Sequence, residues 1–146
     1  MTVRVLAAAG LAAWLIGVLL LTVQPVQPAP GQLIDDNFVL FRTFGIYLAN
    51  LDSSFWVGQL VGNLLLFMPF GILGPMAFRW LDGWVRVFVG ALILSLLVEA
   101  SQLWVPNRSA DVDDVILNVA GALLGYAFLS IMRAIGRPTR ALPGSG

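Results

Sequence analysis

The chain has 146 residues, enough for one domain, and 59% of them are hydrophobic while only 11% are charged. A soluble domain of this size cannot bury so much apolar surface, so the composition predicts a membrane protein. The absence of Cys and His excludes disulfides and the commonest metal ligands, and we expect no metal or cofactor. A formal net charge of zero argues against a nucleic-acid partner.

Four stretches are long and apolar enough to cross a bilayer, which takes about 20 residues. They predict helices over residues 5–23, 55–78, 87–105 and 112–132. We therefore expect an all-α, integral membrane four-helix bundle over residues 1–132, followed by a disordered cytoplasmic tail over 133–146. Residues 37–48 are apolar but too short to span, so we expect them to lie flat at the interface or to pack on the bundle.

The first stretch has an alternative interpretation as a cleaved signal peptide, because Arg4 precedes its apolar run. The run is longer than a typical signal-peptide core of about 7–15 residues, and no clear small-residue cleavage site follows it. These features favour an uncleaved helix.

Arginine placement predicts how the chain is oriented in the membrane, since cytoplasmic loops are enriched in basic residues. With a cytoplasmic N-terminus, six arginines lie inside, namely Arg4, Arg79, Arg86, Arg133, Arg137 and Arg140. Two, Arg42 and Arg108, lie outside. The bias predicts that both termini are cytoplasmic.

Polar side chains on three of the predicted helices lie at similar depth in this orientation. Asn63, Glu99 and Asn118 are each seven or eight residues from the outer end of their segment, which places them roughly 10–12 Å deep. Helical spacing aligns further polar side chains with them, because residues three or four apart share a face. The predicted polar cluster consists of Asn63, Glu99, Gln102, Arg108, Asp111, Asp114 and Asn118.

Each of these residues also has a purely structural interpretation. Asp111 fits an N-cap of the fourth helix, and Asp113 would be favoured there by the helix dipole. Asn63 and Asn118 are polar residues of a type that links membrane helices by hydrogen bonds. Arg108 is the nearest predicted counter-ion for Glu99, Asp111 or Asp114.

Small residues predict where helices pack closely, because they let two backbones approach. The pairs Gly58 with Gly62 and Gly121 with Gly125 each have the small-xxx-small spacing. We expect both pairs to form packing surfaces inside the bundle. Pro69 and Pro75 are expected to kink the second predicted helix.

Two blocks of this sequence resemble the VanZ-like family of bacterial membrane proteins. The first matches the pattern N-x-x-x-F-x-P-x-G at Asn63, Phe67, Pro69 and Gly71. The second matches E-x-x-Q, P-x-R, D-x-x-D-x-x-x-N and G-x-x-x-G at Glu99, Gln102, Pro106, Arg108, Asp111, Asp114, Asn118, Gly121 and Gly125. A weaker match joins Asn37 to residues 41–44, where Leu40 replaces a Pro that is common in the family. The strong blocks cover about residues 62–125.

This resemblance implies a multi-pass protein of the bacterial plasma membrane that is associated with glycopeptide resistance, chiefly to teicoplanin. It supplies no catalytic residues. The favoured function is non-enzymatic binding at the predicted polar cluster near the outer leaflet, with a lipid-linked cell-wall precursor or the lipoglycopeptide itself as the partner beside the bilayer.

Two other classes of function remain open at this point. In an enzyme acting on a lipid-borne substrate, Glu99 or Asp114 would be the acid or base and Arg108 would hold a phosphate. Asp111, Asp113 and Asp114 would then be candidate ligands for Mg²⁺. A small transporter is the least favoured class, since four short helices and one intramembrane carboxylate form no complete path.

Overall fold

The computed structural model describes residues 2–22, 24 and 36–136. The four long helices are α1 (Thr2–Thr22), α3 (Ser54–Ala77), α4 (Trp84–Gln102) and α5 (Val112–Ile135). A short helix α2 (Arg42–Ala49) precedes α3, and a single 3-10 turn (Arg79–Leu81) joins α3 to α4. All four long helices are apolar enough to cross a membrane, which confirms the predicted all-α bundle.

Helix ends differ from the predicted bounds by up to three residues. Helix α4 begins and ends three residues earlier than predicted. Its end is explained by Pro106, which has no N–H to donate to the Gln102 carbonyl. Helix α5 continues to Ile135, so residues 133–135 are helical and do not belong to a tail. The remainder of the predicted tail, residues 137–146, lies outside the described residues.

Helices α3 and α5 form the most extensive interface, and three glycines bring their backbones together. A Cβ atom at Gly71 would overlap the carbonyl oxygen of Ala122, and Cβ atoms at Gly121 and Gly125 would overlap carbonyl oxygens of α3. Only hydrogen in place of a side chain permits this approach. The packing predicted for Gly121 and Gly125 is therefore present.

The packing predicted for Gly58 and Gly62 is wrong. A Cβ atom at either position would meet no neighbouring atom within 4 Å. The close approach lies further along α3, at Gly71. A glycine spacing in the sequence marks a possible contact face, but the partner helix decides which glycines it reaches.

Aromatic packing around Phe67 fills the centre of the bundle. Phe67 is fully buried, and the ring of Trp14 on α1 meets it edge-on at 5.6 Å between centroids. The Trp14 indole N–H donates to the Leu66 carbonyl at 2.7 Å. Pro69 removes a backbone donor from this part of α3, and α3 continues as a helix through it. The Trp14 bond therefore ties α1 to α3 one turn before the proline.

The outer surface of the bundle is apolar, as expected for a protein whose solvent is lipid. Leu6, Leu20, Val85, Leu97 and Ile135 are all more than half exposed. Buried polar side chains such as Ser95 and Asn118, by contrast, lie between the helices. This arrangement of polar groups inside and apolar groups outside suits a bilayer.

The segment before α3 packs on the bundle, one of the two arrangements predicted for it. The backbone N–H of Asn37 donates to the Ala110 carbonyl, and Tyr47 on α2 is buried. Four consecutive apolar side chains, Phe38 to Phe41, point outward and are more than half exposed. The segment is thus attached through polar groups and presents apolar groups to its surroundings.

The opposite end of the bundle is closed by Asp82 in the α3–α4 connection. Its Oδ1 atom accepts from Arg133 at 2.8 Å and from the Tyr126 hydroxyl at 3.1 Å. Both partners lie on α5. This cluster holds the turn against α5, and it was not predicted from the sequence.

Candidate functional site

A cavity of about 350 Å³ lies between the long helices and the α4–α5 connection. Six of the seven predicted cluster residues line it: Asn63, Glu99, Gln102, Arg108, Asp114 and Asn118. The other lining residues are Leu21, Thr22, Gln59, Leu66, Val98, Asn107 and Ser109. Ten of the thirteen lining residues carry polar side chains, which is unusual inside a membrane protein and marks the cavity as a candidate site.

Helical periodicity explains why these side chains meet. On α4, Ser95, Glu99 and Gln102 are spaced i, i+4, i+7, and all three are buried. On α5, Asp114 and Asn118 are spaced i, i+4. Each set forms one stripe on its helix, and both stripes face the interior.

Asn118 lies deep in the cavity and is only 2% exposed. Its Nδ2 donates to the Ser95 hydroxyl at 2.9 Å, which links α5 to α4. Its Oδ1 atom is buried and has no hydrogen-bond partner among the residues that the structure describes. The predicted inter-helix bond therefore exists, but it uses only one end of the amide.

Glu99 is buried and accepts a hydrogen bond from the backbone, not from an arginine. Its Oε2 accepts from the Asp111 N–H at 2.8 Å. This contact ties α4 to the beginning of α5. Glu99 also lines the cavity.

The predicted pairing of Arg108 with a carboxylate is wrong for the residues that the structure describes. Its guanidinium donates to the carbonyls of Leu21 and Gln24, the latter at 3.1 Å. The carbonyls at a helix C-terminus lack intrahelical donors and attract cations. Burial lowers the pKa of Arg108, while Glu99 and Asp114 raise it. Arg108 thus holds the end of α1 at the rim of the cavity.

Asp111 does not line the cavity. It is the N-cap of α5, where its side chain accepts the Asp113 N–H at 2.9 Å. The same carboxylate accepts from the Asn37 amide at 2.9 Å and from the Thr43 hydroxyl. Its structural interpretation therefore fits the geometry, and Asn37 and Thr43 gain a role as its partners.

Asp113 holds the beginning of α2. The side chain is 1% exposed and accepts from the backbone N–H groups of Phe41, Thr43 and Phe44 at 2.7, 2.9 and 3.1 Å. Its oxygens are occupied by these donors. In the described part of the chain, no group of three acidic side chains is placed to hold a metal ion, so the geometry does not favour the Mg²⁺ alternative.

Asp114 faces the cavity, and Tyr47 approaches it from α2. The Tyr47 hydroxyl lies 3.4 Å from the Asp114 carboxylate. Burial raises the pKa of Tyr47 well above its ordinary value, and the neighbouring carboxylates raise it further. Tyr47 is therefore a neutral hydrogen-bond donor behind the cavity wall.

Several cavity residues were not included in the predicted cluster. Gln59 lies four residues before Asn63, so helical spacing alone would have found it, and the same spacing before Glu99 would have found Ser95, the hydrogen-bond partner of Asn118. Asn107 and Ser109 lie in the α4–α5 connection, where no helical periodicity predicts which way a side chain points. Thr22 reaches the cavity because α1 packs beside α3.

Comparison with known proteins places these motifs in a family. A sequence profile of the VanZ/LLP1 family matches residues 8–133. Protein VanZ of Enterococcus faecium is 34% identical over 67 residues, which are 46% of this chain and 41% of that protein. No solved structure shows significant similarity to this chain. Since the profile covers most of the sequence, the chain belongs to the VanZ/LLP1 family, and its four long apolar helices make it a multi-pass membrane protein.

Proposed function

We propose that the protein binds an envelope ligand in the polar cavity and does so without chemical conversion. The observation that carries the proposal is the convergence of polar side chains from α3, α4, α5 and the α4–α5 connection on one cavity. The ligand we favour is a lipid-linked cell-wall precursor or a lipoglycopeptide, in keeping with the glycopeptide resistance that the VanZ-like resemblance implies. Binding at this site would underlie altered sensitivity to teicoplanin or another envelope function.

The size of the cavity limits what it holds. Small-molecule sites usually measure about 300–1,000 Å³, and this cavity of about 350 Å³ is at the lower end. It fits a head group or one arm of a larger molecule. The remainder of a lipid-linked precursor or lipoglycopeptide would lie outside it, along the membrane surface.

The orientation predicted from the arginines supports an outward-facing site. The cavity is lined by the C-terminal ends of α1 and α4 and the N-terminal halves of α3 and α5. With both termini in the cytoplasm, these parts lie on the extracytoplasmic side of the plasma membrane. Cell-wall precursors and glycopeptides are reached from that side.

Charge-neutralising substitutions test this proposal. We expect that E99Q and D114N each abolish the change in teicoplanin sensitivity that the wild-type gene confers on a deletion strain. Both replacements keep side-chain size and remove a carboxylate from the cavity. The measurement is the growth-inhibitory concentration, with membrane abundance followed by immunoblot.

The matched control is D52N, which removes an exposed carboxylate between α2 and α3, away from the cavity. It should retain the wild-type phenotype. If E99Q and D114N are as abundant and as active as wild type, the cavity does not carry the function.

An enzyme is the second candidate, favoured by one observation: Glu99 and Asp114 line the same cavity. Two carboxyl groups in one pocket are a common acid–base arrangement. The phosphate-binding role considered for Arg108 is weakened, because its guanidinium already bonds to carbonyls of α1 and the following residues. Incubating purified protein with labelled lipid-linked precursors separates the candidates, since only an enzyme yields a new product.

A further inference from the structure

The unpaired oxygen of Asn118 is the feature of the cavity that most directly specifies a ligand. A buried acceptor without a partner costs roughly 1–3 kcal/mol, so proteins seldom leave one. Asn118 is almost fully buried, its Nδ2 is held by Ser95, and it lines the cavity. In this arrangement the amide nitrogen has a partner and the amide oxygen does not. Asn118 therefore presents a buried acceptor, and an occupant with a donor would satisfy it.

The charged groups around the cavity favour a positive occupant. Glu99 and Asp114 contribute two carboxyl groups, whereas Arg108 contributes one cation. The Arg108 guanidinium is directed at carbonyls of α1 and the residues that follow it. Among the charged groups, the lining therefore offers a ligand more acceptors than donors.

We propose that the cavity binds a primary ammonium group, which donates hydrogen bonds to Asn118 Oδ1 and to the carboxyl groups of Glu99 and Asp114. A primary ammonium has one positive charge and three N–H donors, which match this lining. A quaternary ammonium has the positive charge but no N–H donors. A phosphate has neither a positive charge nor N–H donors. The inference rests on the proposed binding function and names the chemistry of the ligand.

Two sources supply a primary ammonium, namely a lipid head group such as that of phosphatidylethanolamine and a soluble amine or amino sugar. Full-length protein is incorporated into nanodiscs of equal parts phosphatidylethanolamine, phosphatidylcholine and phosphatidylglycerol. Native mass spectrometry then measures which lipid stays bound. In a second arm, the protein in nanodiscs of phosphatidylcholine alone is titrated with ethanolamine, glucosamine and choline, and binding is measured by calorimetry.

For a lipid source, we expect phosphatidylethanolamine to be retained at least about tenfold over phosphatidylcholine, the factor expected for hydrogen bonds to a charged group. For a soluble source, ethanolamine or glucosamine binds and choline does not. Either result supports the proposal. Equal retention of all three lipids without binding of any amine overturns it, as does preferential retention of phosphatidylglycerol.

Variants of Asn118 separate ligand binding from a structural role. N118L removes the acceptor and should abolish the preference, whereas N118D keeps an acceptor and should retain it. N118L also removes the hydrogen bond to Ser95, so thermal unfolding without ligand is measured to show that the variant is folded. If N118L keeps the preference, or N118D loses it while folded, Asn118 does not bind an ammonium.

Different results would contradict the ammonium site and the proposed binding function. If the ammonium probes do not bind but E99Q and D114N lose the teicoplanin phenotype, the cavity is functional and its ligand is not an amine. If the probes bind but both variants keep the phenotype, the amine site exists and does not carry that function.

Discussion

At the scale of single residues, three glycines determine how close α3 and α5 lie. Gly71 faces the backbone of α5, and Gly121 and Gly125 face the backbone of α3. Lipid provides no hydrophobic force between helices, so close van der Waals packing has to stabilise the pair. The same contact sets the positions of Asn63 and Asn118, which lie on these two helices.

We expect G71A to destabilise the folded protein by about 1–3 kcal/mol, the usual cost of overpacking a core. The added methyl group would overlap the Ala122 carbonyl, so α3 and α5 would have to separate. G62A is the matched control on the same helix, because nothing lies within 4 Å of its Cβ position. It should be neutral or slightly stabilising. Thermal unfolding in detergent measures both, and equal effects would contradict the assigned packing.

At the scale of secondary-structure elements, Asp113 positions α2 against α5. Its carboxylate caps the first turn of α2 through Thr43 and Phe44. It also accepts from Phe41, which adopts a left-handed conformation with φ 65°, a conformation that costs a non-glycine residue roughly 1–2 kcal/mol. The hydrogen bonds offset this strain and hold the exposed apolar side chains of residues 38–41 outward.

Replacing Asp113 should therefore release α2 while the long helices remain folded. In D113A, three backbone donors lose their acceptor, and we expect a local loss of at least about 2 kcal/mol. Amide hydrogen exchange at Thr43 and Phe44 should become roughly 30-fold faster, with little change in the centre of α4. D52A, which removes an exposed carboxylate near the same helix, serves as the control and should exchange like wild type. Unchanged exchange in D113A would show that the cap is unimportant.

At the scale of the whole molecule, orientation in the membrane decides which ligands reach the cavity. Among the described residues, Arg4, Arg79, Arg86 and Arg133 lie at one end of the bundle. Arg42 and Arg108 lie toward the other end, where Arg108 lines the cavity. Basic residues are retained in the cytoplasm, so this distribution predicts an extracytoplasmic cavity.

Reporter fusions test this orientation. When fused after Ser53 or after Ser109, an extracytoplasmic reporter such as alkaline phosphatase should be active and a cytoplasmic reporter should not. When fused after Asp82 or after Ala141, a cytoplasmic reporter such as a fluorescent protein should be active and an extracytoplasmic reporter should not. The opposite pattern at all four positions would place the cavity in the cytoplasmic leaflet and remove its access to wall precursors.

The four spans and the cavity stripes were predictable because they depend on local patterns. Span length follows from apolar run length, and residues such as Glu99 and Gln102 share a face because of helical periodicity. These rules describe one helix at a time. They therefore identified six cavity residues without knowing which helices are neighbours.

Contacts between distant parts of the chain were decided only by the tertiary structure. Arg108 bonds to the end of α1 and not to a carboxylate, and Gly62 faces no partner while Gly71 does. Sequence spacing contains no distance between separate helices, so it cannot rank competing partners for a charge or a glycine. For this protein, the sequence by itself determined a helical membrane bundle with a polar stripe on each of several helices. Folding decided which polar groups pair and that the Asn118 oxygen remains unpaired, because both depend on distances between helices.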